Sequence, residues 1–271
     1  MEENMNKRAF SLISILALSH LAYAGGNIVP MEGPIVGTPV LKDSIWNFRL
    51  SPYGWFAGFK GDIASIPGSS LVPIDLSSSD TLNNAKASFN LIFEAKKKNQ
   101  GILIDFSYSD QRSDETLIDN IDLVMKSTTK TTVASTAYMH EVFNQEDSVV
   151  DMLAGIRYWK IDSDLEFGGG LGFLAGKSIS HTESWVDPFI GVKGRTLLNG
   201  TKVYTTGAAV IGGFNTGSKL FYDVQAHIGY QWNDAIGTSI GYRLYDLDYE
   251  NNGFIYDVRQ EGLMLGLTWV F

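Results

Sequence analysis

Along most of the chain, apolar and polar residues alternate at every second position, the period of a β-strand whose two faces meet different surroundings. Ala87, Phe89, Leu91, Phe93 and Ala95 are set against Ser88, Asn90, Ile92, Glu94 and Lys96. Ile102, Ile104, Phe106 and Tyr108 are set against Leu103, Asp105, Ser107 and Ser109. The alternation is clearest where Tyr222, Val224, Ala226, Ile228, Tyr230 and Trp232 oppose Asp223, Gln225, His227, Gly229 and Gln231. At the end of the chain Leu263, Leu265, Leu267, Trp269 and Phe271 share one face, and Met264, Gly266, Thr268 and Val270 take the other.

Strands are expected at 46–53, 87–96, 102–109, about 121–142, 150–159, 187–195, 201–213, 222–232, 238–244 and 261–271. Pro52 weakens the first, because proline removes a ladder donor, and a run of Ser and Thr at 127–132 blurs the facing of the fourth. Turns at Lys98–Gln100, Asn144–Asp147, Asn199-Gly200 and Asn233-Asp234 are short. The connections at 60–84, 110–119, 162–182 and 248–257 are polar and read as long loops, with a shorter one at 215–218. Alternation alone does not separate a membrane strand from a strand of a soluble sandwich. Short turns on one side and long loops on the other do favour a barrel in a membrane. The expected fold is all-β, a transmembrane antiparallel up-and-down barrel of ten strands, with eight strands as the alternative. Residues 46–271 form the barrel in this reading.

The N-terminus supplies a compartment. Lys7 and Arg8 precede an apolar run from Ala9 to Leu18, and Ala22-Tyr23-Ala24 offers small residues for cleavage before Gly25. Residues 1–24 read as a secretory signal peptide, and 25–45, with three prolines and no period, as a periplasmic lead-in. No later stretch has the 18 or more apolar residues of a membrane helix. A membrane location therefore requires closure into a barrel, which alone satisfies every backbone group in lipid.

Composition narrows the function classes. The absence of cysteine removes disulfides, thiolate metal sites and thiol nucleophiles. A formal charge of −9 argues against a nucleic-acid partner. The Gly-rich run from Gly168 to Ser178 fails as a phosphate loop, because Leu171 stands where the motif needs Gly.

Several stretches together resemble a group of small outer-membrane barrel proteins of Gram-negative bacteria. They are Pro52-Tyr-Gly-Trp55, Phe93-Glu-Ala-Lys96, Ile104-Asp-Phe106, Leu153 to Tyr158, Trp185 to Arg195, Gly212-Gly-Phe214, Gly241-Tyr-Arg243, Asp248-Tyr249 and the terminal strand. The resemblance implies a location in the cell outer membrane and a barrel fold, and it brings no established activity. Leu267, Trp269 and Phe271 are similar to the aromatic C-terminal signal read by the barrel-assembly machinery, which makes that machinery an expected partner. Outer-membrane lipids and lipopolysaccharide are the other expected partners, and a monomer is favoured.

By parity, the inward set holds Glu94, Asp105, Asp151, Asp187 and Asp223 against Arg49, Lys96, Arg157, Lys193, Arg195 and Arg243. Unpaired charge in a narrow interior is costly, so this near balance points to a charge-paired, largely closed lumen. The alternative is a narrow small-solute pore, and a second alternative is a lipid-modifying enzyme. For the enzyme the candidates are His181 beside Ser180 and Glu183, His227 near Asp223 and Gln225, and His140. None sits in a hydrolase motif, so no catalytic residue, cofactor or metal is assigned. The acids Asp110, Asp114, Glu115, Asp119, Asp248, Glu250 and Asp257 read as a solvated outer rim. Trp46, Tyr108, Tyr158, Tyr222, Trp232 and Trp269 fall on the outward face, where an interfacial girdle belongs.

Overall fold

A computed structural model describes residues 46–118, 123–145, 147–168 and 176–271. The expected signal peptide and lead-in, most of the Gly-rich run, and Asp119 lie outside the described residues, as do the side chains of Asp114 and Glu115.

The strands are β1 (Asn47–Ala64), β2 (Val72–Leu76), β3 (Ala85–Lys97), β4 (Gln100–Ile118), β5 (Leu123–Gln145), β6 (Ser148–Gly168), β7 (Ser178–Leu197), β8 (Val203–Gly212), β9 (Leu220–Gln231), β10 (Ile236–Asn251) and β11 (Phe254–Val270). One helix, α1 (Ser78–Asn84), lies between β2 and β3. From β3 to β11 each strand pairs antiparallel with the next, β3 pairs with β1, and β11 pairs back onto β1 from Arg49↔Val270 to Ala64↔Ile255. The ten long strands thus close an up-and-down barrel, which leaves no sheet edge along that join. At the closure, the Phe48 and Phe271 backbones exchange N–H···O bonds of 3.0 Å.

The apolar positions that alternate in the sequence form an outward belt. Ile104, Met152, Ile156, Ile190, Ile228, Ile240, Leu263, Leu265 and Leu267 are each exposed. A soluble protein would cover so continuous an apolar surface, whereas here hydrocarbon is its solvent. The short turns lie at one end of the barrel, together with both ends of the barrel wall.

Three stretches expected as loops are strand instead. β4 runs through 110–118, β6 and β7 take up most of 162–182, and β10 and β11 take up 248–257 apart from a two-residue turn. The reason is an inversion of the pattern. In β10 the outward residues change from Ile240 and Tyr242 to Asp246, Asp248 and Glu250, while the inward residues change from Ser239 and Arg243 to Tyr245, Leu247 and Tyr249. Above the belt the outside meets water and the inside is dry, as in a soluble sheet, so polar residues on the outside mark a wetted wall. The turn between β10 and β11 is Asn252-Gly253, with φ of 46° and 86°, the left-handed pair that a type I′ hairpin requires.

The expected loop at 60–84 is also partly ordered, since it holds the end of β1, β2 and α1. β1 pairs with β3 only from Asn47↔Lys96 to Pro52↔Leu91, and farther out its edge pairs with β2 from Phe59↔Leu76 to Ile63↔Val72. Pro52 stands where the ladder to β3 stops, as its missing N–H explains. Just beyond it, Asn90 Nδ2 donates to the Tyr53 carbonyl at 3.2 Å and takes over the satisfaction of that group. Ser77 caps α1 through a reciprocal capping box with Asp80.

Candidate functional site

The interior gathers buried charge, and it is built in three levels. At the outer level, above the belt, inward positions of β6, β7, β10 and β11 interlock. Trp185 and Tyr249 stack with ring centroids 3.7 Å apart, and Trp159 lies 5.7 Å from Trp185 and 5.4 Å from Tyr245. Ile161, Leu247, Phe254 and Val258, all within 1% of complete burial, fill the space around these rings. Asp187 sits beneath this layer with no ion pair among the described residues. It accepts from Trp185 Nε1 at 3.0 Å, from the Ser218 amide at 2.6 Å and from Ser218 Oγ at 2.7 Å. Three donors satisfy a buried carboxylate in place of a cation.

The middle level is centred on Asp223. Arg243 reaches it through Nε at 2.8 Å and Nη2 at 2.6 Å, and Arg157 reaches it through Nη2 at 3.0 Å. Both guanidinium groups are locked elsewhere. Arg157 donates to Ser135 Oγ at 2.8 Å and lies 4.9 Å over the Phe221 ring, while Arg243 lies 4.8 Å over Trp55 and donates to Tyr53 Oη at 3.1 Å. Tyr53 in turn donates to Asp105 at 3.0 Å, and Arg243 is 3.7 Å from the other oxygen of Asp105. Two cations and two carboxylates thus balance among largely buried side chains, where an unmatched charge would be expensive.

Nearer the short turns the pairs are smaller. Glu94 is shared by Arg49, at 3.1 Å, and Lys193. Lys96 is shared by Glu141, at 2.7 Å, and Asp151. Arg195 has no carboxylate partner among the described residues; it donates to Gln231 at 2.8 Å and stacks 3.9 Å over Tyr204. Tyr204 can lie there because its cross-strand partner is Gly229, where a Cβ would stand 2.1 Å from the Tyr204 ring.

The eleven charged residues expected inside are all placed inside, but as separate groups and not as one network. Asp187 and Arg195 stand outside the ion pairs. Sequence reasoning passed over Glu141, because the Ser and Thr run at 127–132 left its strand without an assigned facing; a bulge between Glu141 and Phe143 also breaks the parity there. The alternation of β1 places Tyr53 on the inward face with Arg49, but as an uncharged residue it was not counted in the charge network.

The histidines are scattered. His181 Nε2 lies 3.1 Å from Glu183, but neighbouring Ser180 projects from the opposite face of the strand, so the Ser-His pair suggested by adjacency does not form. His227 Nε2 lies 3.1 Å from Gln225, and the His140 ring stacks against Tyr138. At the outer rim, burial opposes ionisation of Glu183, yet bonds from Asn251 at 2.9 Å, Tyr249 at 2.6 Å and His181 outweigh it and hold the carboxyl below the usual glutamate range. A lowered folded-state value contributes stability that is present above the unfolded value near 4.5 and is lost as pH falls through the folded one. The protection of amides at the outer ends of β7 and β10, taken relative to their intrinsic exchange rate at each pH, should therefore fall on acidification below that range, and Glu183→Gln should flatten the dependence.

No protein-family model matches this chain, and no curated protein sequence matches it. Among solved structures, it is similar to the outer-membrane protease OmpT from Escherichia coli, at 10% identity and a TM-score of 0.55, covering 83% of this chain and 96% of that one. It also aligns with the translocator domain of the autotransporter NalP from Neisseria meningitidis, at 10% identity and a TM-score of 0.48, covering 99% and 95%. A third match is Ail from Yersinia pestis, at 13% identity and a TM-score of 0.38, covering 84% and 99%. The fold is that of a Gram-negative outer-membrane β-barrel. In that setting the short turns face the periplasm and the extended ends of β4–β7, β10 and β11 stand above the outer leaflet.

Proposed function

We propose that this protein is a non-conducting outer-membrane barrel, monomeric and without catalytic activity, whose interior is a structural core and whose raised outer wall interacts at the cell surface. The observation that carries the reading is the layer of Trp159, Trp185, Tyr245, Tyr249 and Phe254, which occupies the interior above the charge pairs. Buried aromatic packing and matched charges are costly to maintain across a passage that solutes must use, and both are expected of a core.

Lipopolysaccharide is the natural surface neighbour in this reading. On the outward side of β4–β6, just above the belt, Lys86, Arg112, Lys126 and Lys130 border a recess of about 570 Å³ together with Asp164 and Glu166. Cations at that height suit lipid phosphates, and the carboxylates can share divalent cations with them. The outward row of Leu267, Trp269 and Phe271 similarly supports engagement by the barrel-assembly machinery during insertion.

Liposome swelling tests the proposal. Vesicles carrying the refolded barrel should shrink and stay shrunken in small sugars and amino acids, as protein-free vesicles do. Rapid re-swelling would favour the pore. Cleavage of peptides, the activity named for the Escherichia coli structure, would instead overturn the absence of catalysis.

A further inference from the structure

Below the Asp223 level the barrel is not filled. A cavity of about 140 Å³ remains, several times the roughly 30 Å³ that one water takes in the liquid. Buried Arg157, Phe189, Asp223 and Met264 roof it, whereas Arg49, at the short-turn end, keeps 32% of its side chain accessible. The cavity is therefore a blind pocket that opens toward the periplasm.

Its charge is uneven. Arg49, Lys193 and Arg195 line the lower part; Glu94 is shared by Arg49 and Lys193, Asp151 also lies near Lys193, Asp105 and Asp223 line the cavity higher up, and Arg195 has no carboxylate partner among the described residues. Arg195 leans on a tyrosine ring and a glutamine, which hold its position without neutralising it. Unused donors accompany this excess: Arg49 Nε and Arg195 Nε are buried without a hydrogen-bond partner. Ser51, Thr206, Ser239 and Thr268 add hydroxyls to the same wall. Buried unpartnered donors and surplus positive charge are each costly, and one occupant relieves both.

We propose that this pocket binds a small, multiply charged oxyanion of the phosphate or sulfate class from the periplasmic side. Two guanidinium groups and an ammonium supply charge-assisted bonds of the kind such oxygens take, and the hydroxyls complete the shell. The site does not depend on whether the aromatic layer above it is sealed, because it is entered from below.

The test is calorimetric titration of the refolded full barrel in neutral detergent with inorganic phosphate, with sulfate, and with chloride at matched ionic strength. Saturable one-to-one binding of phosphate or sulfate, at least tenfold tighter than chloride, is expected. Arg195→Gln and Arg49→Gln, each checked for heat-modifiable gel mobility, should each weaken it tenfold or more. Lys219→Gln, on the outer surface, should leave it unchanged. Either pocket variant that folds decides the matter. No saturable heat up to tens of millimolar, equal affinity for chloride, or binding that survives in a folded pocket variant would overturn the site.

Discussion

An Asp223→Asn barrel is expected to lose about 3–5 kcal/mol of unfolding free energy, the cost of leaving buried charge without its partner. Asp223 takes three bonds from Arg157 and Arg243, all three side chains are almost wholly buried, and the other nearby carboxylate, Asp105, is 3.7 Å from Arg243. Asparagine keeps the shape and removes the charge, so the loss reports electrostatics and not a cavity. Removing one cation as well, in Asp223→Asn/Arg157→Met, should recover part of it, a coupling that separates the pair from its surroundings. Urea unfolding in detergent or lipid, followed by tryptophan fluorescence and gel mobility, measures both. Near-equal stability of the single variant and the parent would mean that Arg157 and Arg243 are satisfied without the Asp223 charge.

Trp185→Ala should be comparably damaging, at about 3–5 kcal/mol, for a different reason. The indole stacks on Tyr249 at 3.7 Å and borders Trp159, so truncation opens a large void in a layer with no slack. It also removes the Nε1 donor to Asp187, leaving that carboxylate to Ser218 alone. Trp185→Phe should lose less, because it retains most of the stack and forfeits the donor. A loss in Trp185→Phe equal to that in Trp185→Ala would assign the effect to the hydrogen bond and not to packing.

Much of the barrel was legible from residue order. Period-two alternation located the ten membrane strands and assigned Trp269 and Leu267 to the outside and Arg157 and Asp223 to the inside, because within the belt each face meets one solvent. The outer wall was not legible, for a physical reason. There the same alternation continues with its sense reversed, so Asp248, Glu250 and Asp257 resemble a polar loop although they are the wet face of a two-stranded hairpin whose dry face is Leu247, Tyr249 and Val258. Reading both parities of 244–259 together would have shown it. The pairing inside was only partly legible. Parity names the inward residues but not their heights, so it could not tell that Arg157 and Arg243 meet on Asp223 while Arg195 is left to Tyr204 and Gln231. The seam at Pro52 had a sequence signal in the proline itself, but nothing local foretells that β2 and α1 occupy the ground beyond it.

The central claim is that the interior is a core and not a passage, and single-channel recording of the refolded barrel in a planar bilayer tests it most directly. With folding established by heat-modifiable mobility, the protein is predicted to insert and stay silent across the voltage range the bilayer withstands. Steady, ion-selective openings from the unaltered protein would contradict the account, since ions would then have a path through the Trp159, Trp185 and Tyr249 layer.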